Sequence, residues 1–191
     1  MNDTRDRLVN VGAELFSRQG LTGTGIKQVL NGAHAPFSSL YHHFPGGKNE
    51  LAAEVIRTSG ARYQELVEGV WDEQADVVGA VTAVFEGAAA TLEATDFAVA
   101  CPIATVALEV ATTNEDLRMA TADVFESWLE SATRRLTAAG IGASEAHWVA
   151  CVLVALLEGA FILSQSTRNI APMTAAGDAA AEIVRRAVRS R

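Results

Sequence analysis

Apolar residues recur every three or four positions along almost the whole chain, and glycine, proline and small polar residues separate the apolar segments. This spacing is typical of amphipathic helices, whereas strands would require a strict alternation that the sequence lacks. We therefore predict an all-α fold of about nine helices. The predicted helices begin at about residues 4, 25, 36, 48, 74, 102, 115, 145 and 172.

The second and third predicted helices are short, and the residues that begin and end them are typical of a helix-turn-helix. Gly20 ends the first helix, and Thr24 is a good N-cap for the second. Pro36 suits the first turn of the third helix, because the N–H that proline lacks has no helical partner there. Leu40 and Phe44 are expected to point back into a small core, together with the apolar face of the second helix at Ile26, Val29 and Leu30.

A Pro-Gly-Gly break at residues 45–47 separates this N-terminal domain, residues 1–47, from the remainder, residues 48–191. The charge is also divided: residues 1–62 hold seven basic and five acidic side chains, whereas the rest hold eight basic and eighteen acidic ones. The N-terminal part can therefore approach DNA phosphates, which the acidic remainder would repel.

Composition narrows the class of protein. The chain has 191 residues, its start is charged, and it contains no run of about 18 uninterrupted apolar residues. We therefore expect a cytoplasmic protein without a membrane span. Cys101 and Cys151 are too few for a disulfide framework, and their spacing is not that of metal ligands.

The third predicted helix has the properties of a DNA-reading helix, because Leu40 is committed to the core and its neighbours are left facing outward. Ser38 can hydrogen-bond a base edge or a phosphate, Phe37 can touch a thymine methyl group, and Tyr41 can reach a phosphate. The spacing alone leaves open a second interpretation, an ordinary helical hairpin with an exposed tyrosine.

Thr24 and Lys48 each lie at a helix N-terminus, where the backbone N–H groups and the helix dipole favour an anion. His42 and His43 do not predict a metal site, because adjacent helical positions diverge by about 100° and no third ligand is near. The predicted DNA-binding residues are Thr24, Lys27, Pro36, Phe37, Ser38, Ser39, Tyr41, His42 and Lys48.

The segment from about residue 4 to residue 56 resembles the N-terminal domain of the TetR family of bacterial transcriptional regulators. The resemblance rests on Leu15-Phe16, Gly20, Thr24, Val29, Leu40-Tyr41-His42-His43-Phe44 and Lys48. The chain also resembles the LmrA/YxaF-like branch of that family. The residues that carry this resemblance are Ala35-Pro36, Pro45-Gly46-Gly47-Lys48, Cys101-Pro102, Glu109, Trp128, Glu158-Gly159-Ala160 and Ser164.

The resemblance implies that Thr24, Tyr41 and Lys48 contact phosphates and that residues 37–42 face the major groove. Two positions depart from the family. His34 stands where glycine is usual, so it must accept a positive φ or reshape the turn. Phe37 stands where lysine is usual, so one contact of the family is absent and the operator sequence of relatives does not transfer to this chain.

A single such domain reads few base pairs, so we expect residues 48–191 to form a dimer. The stretch 147–165 is apolar nearly all round and needs a cover on every side. The resemblance implies a dimer through the last two long helices; a central helix of a monomer is the alternative. Glu158 is expected to be hydrogen-bonded or paired with an arginine such as Arg168, and a role in effector binding is the alternative. The predicted interface residues are Glu158, Gly159, Ile162, Gln165, Ile183 and Arg186.

The resemblance also implies a ligand cavity in the C-terminal bundle, although each lining residue could equally be plain core. Few charges occur among the candidates, so the expected effector is small and apolar or aromatic. A redox role for Cys101 is a weaker hypothesis, and no cofactor is predicted. The predicted pocket residues are Phe85, Phe97, Cys101, Ala104, Leu108, Phe125, Trp128 and Cys151.

The sequence thus predicts a homodimeric repressor that binds a palindromic DNA operator and is released by a small apolar effector. One alternative is a dimeric regulator without a small-molecule ligand, controlled by a protein partner or not at all. The other, a helical enzyme, finds no support, since Glu145 and His147 do not have the spacing of a bundle metal site and stand alone.

Overall fold

The computed structural model describes residues 3–99 and 101–189. Within these residues the chain forms nine helices and no strand, which confirms the predicted all-α fold. In chain order the helices are α1 (Thr4–Gln19), α2 (Ile26–Gly32), α3 (Phe37–His43), α4 (Lys48–Asp72), α5 (Val77–Ala94), α6 (Pro102–Val110), α7 (Glu115–Ala138), α8 (Ala143–Thr167) and α9 (Ala171–Arg189).

The chain folds into two compact units, each made of segments that are distant in sequence. Unit one contains residues 1–62 and 101–125, and unit two contains residues 63–100 and 126–191. The long helices α4 and α7 contribute to both units. The helix-turn-helix therefore shares its compact unit with α6, a helix about 60 residues further along the chain.

The core of unit one contains the apolar residues that the helical spacing selects. Leu40 is fully buried, and Phe16, Val29 and Phe44 are about 1 % exposed, so α1, α2 and α3 enclose a common core. The prediction that Leu40 and Phe44 point inward is confirmed. Ile26 lies at the edge of this core and is half-buried, because it is the first residue of α2.

The core of unit two is formed mainly by α5, α8 and α9. The helices α5 and α8 are long and apolar enough to satisfy the length and composition of a membrane span. Both contribute buried residues to this core, such as Phe85 and Val149, and the core helices of soluble proteins often have the same composition. One face of α8, however, keeps large apolar side chains exposed, including Trp148 and Ile162.

A ladder of polar pairs joins α4 to α7 in unit two. Ser127 donates to Gln64 at 2.7 Å, Ser131 donates to Glu68 at 2.5 Å, and Arg135 pairs with Asp72 at 2.5 Å. Each pair is separated by 63 residues and lies one helical turn beyond the last, so the two helices run parallel here. The hydrogen bonds from Ser131 and then Gln64 lower the pKa of Glu68, so this carboxylate is held in its charged form.

The predicted N-caps are correct for some helices and wrong for others. Asn114 accepts a hydrogen bond from the N–H of Leu117 at 3.1 Å and caps α7 as predicted. Thr24 does not cap α2: Gly25 is the N-cap, and its N–H is satisfied by the side chain of Gln28 at 2.7 Å. Gln28, the third residue of the helix, thus forms the reciprocal half of a capping box, in which its side chain accepts the N–H of the N-cap residue.

Three further helix starts differ from the prediction. Gly142, not Ser144, is the N-cap of α8, so the serine lies within the first turn. Pro36 is the N-cap of α3 rather than its first helical residue. Helix α5 starts at Val77, later than predicted, because the side chain of Asp76 accepts the N–H of Gly79 and begins the helix there.

Arg168, the arginine suggested for Glu158, pairs with a different carboxylate, and the pairing of Glu158 stays a prediction. Its guanidinium pairs with Asp96 at 2.5 Å, and Glu158 is half-buried rather than enclosed. Asp96, Phe97 and Arg168 all adopt positive φ angles between 48° and 58°. The Arg168–Asp96 pair therefore connects the end of α5 to the end of α8. The three residues with positive φ are not glycine, yet they hold left-handed conformations.

Candidate nucleic-acid interface

The turn between α2 and α3 is closed by a left-handed residue, which is one of the two outcomes that the sequence leaves open for His34. His34 has a φ of 49°, so it accepts the conformation in which glycine is usual. The N–H of Ala35 then reaches back to the carbonyl of Leu30 at 2.9 Å, and the N–H of Ala33 reaches Val29 at 2.9 Å. These bonds satisfy the last carbonyls of α2 and direct the chain into α3.

Helix α3 presents the predicted reading residues on one exposed face. Phe37 is 59 % exposed and Tyr41 is 53 % exposed, and their rings lie 5.7 Å apart. Ser38 and His42 are exposed as well, whereas Ser39 is half-buried towards the core side. A face that combines two aromatic rings, a hydroxyl and an imidazole can contact both base edges and phosphates.

Lys27 and Pro36 are exposed beside this face, Lys27 on α2 and Pro36 at the start of α3. The ring of Tyr41 lies next to the backbone of Gly47, where a Cβ atom would be 3.5 Å from Cε1 of the tyrosine. The N-terminus of α4 is thus adjacent to the exposed face of α3. Of the predicted DNA-binding residues, the structure thus brings Tyr41 next to the segment that leads into Lys48.

Thr24 occupies a different environment from the one expected of a phosphate ligand. It is only 1 % exposed, and its hydroxyl donates to the carbonyl of Gly20 at 2.6 Å. The side-chain amide of Gln19 also donates to this hydroxyl at 3.3 Å. In the DNA-free chain the Thr24 hydroxyl therefore closes the segment between α1 and α2 internally.

Lys48, the first residue of α4, is also engaged within unit one. Its ammonium donates to the carbonyl of Leu21 at 2.6 Å. Partial burial lowers the pKa of Lys48, and the nearby negative charge of Glu109 partly opposes that shift. A phosphate at the N-terminus of α4 would have to compete with, or add to, this internal hydrogen bond.

Glu109 on α6 is a residue that sequence reasoning did not place near the helix-turn-helix. Its carboxylate accepts the N–H of Leu21 at 3.0 Å and the N–H of Thr22 at 2.6 Å. A partner nearly 90 residues away cannot be found from spacing. One signal was available in the sequence, because Glu109 is the one charged residue within the apolar helix α6.

The predicted pocket residues fall into both units. In unit one Cys101 is buried, Ala104 and Phe125 are half-buried, and Leu108 is 76 % exposed. The candidates in unit two are described separately: Phe85 and Phe97 pack in or against the core, Trp128 lies 6.4 Å from the ring of Tyr63, and Cys151 lies 3.8 Å from His147.

A surface groove of about 580 Å³ lies in unit two between the start of α5 and the end of α9. It is lined by residues including Asp76, Thr82, Glu86, Arg185 and Arg189. This lining is more polar than the one that the sequence predicts, and none of the predicted pocket residues belongs to it.

The predicted dimer residues lie on α8 and α9. Ile162 is 51 % exposed, and a Cβ atom on Gly159 would meet no other atom within 4 Å, so this face of α8 is open. Gln165 instead donates to the carbonyl of Phe97 at 3.1 Å. On α9, Ile183 packs against the core and Arg186 pairs with Glu182 at 2.7 Å.

Two family models match the chain. The model of bacterial regulatory proteins of the tetR family matches residues 8–55, and the model of the C-terminal domain of LmrA/YxaF-like transcriptional regulators matches residues 77–179. The first match covers the helix-turn-helix described above, and the second covers most of α5 to α9.

Curated relatives match along almost the full chain. The HTH-type transcriptional regulators YxaF and LmrA of Bacillus subtilis are both 31 % identical to it; the matches cover 90 % of this chain in each case and 90 % and 91 % of the relatives. An HTH-type transcriptional regulator of Mycobacterium tuberculosis is 33 % identical over 91 % of this chain and 90 % of its own length. These relatives are transcriptional regulators and not enzymes, which excludes the helical-enzyme alternative.

Solved structures share the fold at lower sequence identity. The regulatory protein TetR from Rhodobacter sphaeroides superposes with a TM-score of 0.82 at 18 % identity, covering 93 % of this chain and 97 % of that one. The reduced form of Escherichia coli NemR superposes with a TM-score of 0.80 at 22 % identity, covering 95 % and 97 %. The nine-helix arrangement is therefore one that other regulators adopt.

Proposed function

Because the chain belongs to the TetR family of bacterial transcriptional regulators, in its LmrA/YxaF-like branch, we propose that it is a cytoplasmic repressor that binds a palindromic operator as a homodimer and is released by a small apolar or aromatic effector. The observation that carries the proposal is the exposed face of α3, where Phe37 and Tyr41 are both more than half exposed. Large aromatic side chains on a short helix gain little from water but can contact base edges.

We assign DNA binding to residues 1–47 with the start of α4, and effector binding and dimerisation to residues 48–191. This division follows function rather than compactness. In the assignment Phe37, Ser38 and His42 face the bases, and Tyr41 with Lys48 contacts phosphates. Lys48 reaches a phosphate by adding a second acceptor to its bond with Leu21, since an ammonium has three N–H donors.

The homodimer is supported by the open apolar face of α8. Trp148, Ile162 and Leu163 are each more than half exposed there, and such side chains are enriched at protein–protein interfaces when they cluster. Two copies related by a two-fold axis would cover this face and present two α3 helices to successive major grooves. We infer that the same face of α8 on a second copy of the chain covers these apolar side chains.

The effector is proposed to act by a shift in population. It would bind more tightly to a conformation in which the two α3 helices no longer match successive major grooves. Within unit one, the apolar character of the predicted lining residues Cys101 and Phe125 favours an uncharged, flat ligand over an ionic one. If no uncharged aromatic compound binds the protein or releases it from DNA, the regulator without a small-molecule ligand becomes the better proposal.

Selection of duplexes from a random pool by the purified full chain tests the DNA-binding proposal. We expect one palindromic sequence to be enriched, and two protomers per duplex in sedimentation. Affinity for that duplex should fall steadily as salt rises from about 50 to about 200 mM. No enrichment, or an affinity independent of salt, would contradict it.

Substitutions on α3 should separate phosphate contacts from base contacts. Tyr41→Phe removes one hydroxyl and should weaken binding to all duplexes alike, by about threefold to tenfold per protomer. Phe37→Lys should instead change which duplex is selected, because it replaces an apolar contact with a hydrogen-bond donor. Tyr63→Phe on α4 of unit two is the matched control and should leave both properties unchanged. A loss of thermal stability without a change in affinity or selection would refute these roles.

Substitution on the open face of α8 tests the dimer. Ile162→Glu places a charge where the second copy would bury it, and self-association should weaken by about tenfold or more. Leu66→Glu introduces the same charge at a leucine of α4 that is 62 % exposed, and sedimentation equilibrium should show an unchanged dimer for it. Equal effects of the two substitutions would place the interface elsewhere.

A further inference from the structure

The carboxylate of Glu109 accepts two adjacent backbone N–H groups at the segment between α1 and α2, here called the α1–α2 turn (residues 20–25). One oxygen, Oε1, accepts from Leu21 at 3.0 Å and the other, Oε2, accepts from Thr22 at 2.6 Å. Hydrogen bonds from N–H groups to an ionised carboxylate are roughly twice as strong as those between neutral groups. The one charged side chain of α6 therefore binds the turn that leads into α2.

The α1–α2 turn is shaped to receive this carboxylate. Gly20 adopts a φ of 72°, and a Cβ atom at this position would lie 1.9 Å from Oε1 of Glu109. Any residue with a side chain would have to displace the carboxylate. The glycine that ends α1 thus does two things: it stops the helix, and it leaves the space that Glu109 fills.

The same peptide segment is held from a second direction. The N–H of Leu21 is bound by Glu109, and the carbonyl of Leu21 is bound by Lys48 at 2.6 Å. Leu21 itself is 7 % exposed, so its side chain anchors the segment in the core. The N–H, the carbonyl and the side chain of Leu21 thus all hold the turn in place. Glu109 of α6 binds the N–H, and Lys48 of α4 binds the carbonyl.

We propose that Glu109 is a positioning residue for DNA binding: its carboxylate fixes the α1–α2 turn, and through it the N-terminus of α2 and the ammonium of Lys48. The inference rests on the proposed function, in which Lys48 contacts a phosphate. Gly25 caps α2 only three residues after Thr22, so a displacement of the turn moves the start of α2. Loss of the carboxylate also leaves two N–H groups without their partner and lets the Leu21 carbonyl, to which Lys48 donates, change position.

Hydrogen exchange in the DNA-free protein tests the first half of the proposal. We expect Glu109→Ala to raise amide exchange at Leu21 and Thr22 by about tenfold or more, because both lose a charged acceptor. The amides of Leu40 and Val149, in the two cores, should keep their exchange rates. This measurement does not involve DNA, so its outcome is independent of whether the operator proposal is correct.

Affinity for the selected duplex tests the second half. Glu109→Ala should weaken binding by about tenfold or more while the selected sequence stays the same. Glu109→Gln keeps the length of the side chain and one acceptor oxygen, so both exchange and affinity should lie between those of Glu109→Ala and the unmodified chain. It also serves as the test variant if Glu109→Ala does not fold. Glu115→Gln is the matched control, because Glu115 is an exposed carboxylate of unit one that pairs with Arg118.

Two results would overturn the proposal. Unchanged exchange at Leu21 and Thr22 in the Glu109 variants would show that the carboxylate does not hold the turn. Faster exchange with full operator affinity would show that the contact stabilises the fold but does not position the DNA-binding residues. If the unmodified chain selects no duplex, the proposed function fails, while the exchange result still reports on the turn.

Discussion

Gly60→Val is expected to lower the free energy of unfolding by about 3 kcal/mol, because it overpacks a tight helix crossing. Gly60 lies in α4, next to Val124 of α7, and both residues belong to unit one. A Cβ atom there would be 2.4 Å and 2.7 Å from the two methyl groups of Val124, which is itself buried. Chemical denaturation followed by circular dichroism measures the loss.

The same helix supplies the control. Gly69 lies further along α4, and a Cβ atom on it would meet no other atom within 4 Å. Gly69→Val should therefore leave stability unchanged or raise it slightly, since valine is the better helix former. Combining Gly60→Val with Val124→Ala should recover about 1 kcal/mol relative to additivity, because the two residues are in contact. Additive effects would show that the crossing is not the cause.

Gly20→Ala should cost about 3 kcal/mol or more, and two causes contribute to the loss. The backbone at Gly20 has φ 72° and ψ 176°, a region that is almost restricted to glycine and costs other residues about 1–3 kcal/mol. The new methyl group would also collide with the carboxylate of Glu109. Thermal unfolding should show the loss, and the duplex affinity of the surviving folded protein should fall with it.

A second positive-φ glycine separates the two causes. Gly47 has a φ of 69°, but a Cβ atom there has room, with its nearest neighbour 3.5 Å away on Tyr41. Gly47→Ala should thus lower stability less than Gly20→Ala does, because only the backbone conformation opposes the new side chain. In a Glu109→Ala background the cost of Gly20→Ala should shrink, because the collision is removed. An equal cost in both backgrounds would mean that the carboxylate moves aside without penalty.

The helices and the small core of the N-terminal domain could be predicted because they depend on local spacing. Leu40 and Phe44 fall on the inner face of a helix by periodicity alone, and the structure buries both. At His34 the sequence left two outcomes open, a positive φ or a reshaped turn, and the structure has the positive φ.

The errors occurred where a local residue competes with another partner. Thr24 is a sound N-cap by residue type, yet Gly25 is the N-cap and the threonine hydroxyl turns inward to the carbonyl of Gly20. Arg168 was suggested as a partner for Glu158, and it pairs with Asp96. The role of Glu109 was beyond prediction, because the contact depends on how α6 packs against α1 in three dimensions.

The number of positive charges on the proposed DNA-binding face determines how strongly its affinity for DNA should depend on salt concentration. Of the nine residues predicted to contact DNA, Lys27 and Lys48 alone carry a full positive charge, and Lys48 is already bonded to Leu21. A dimer would thus neutralise about four phosphates and displace correspondingly few condensed counterions. A plot of the logarithm of the binding constant against the logarithm of the salt concentration should then have a slope of about −4. Most of its discrimination would come from uncharged contacts that ions do not screen. Such a regulator would hold its operator through changes of cellular ionic strength that remove more basic proteins from DNA.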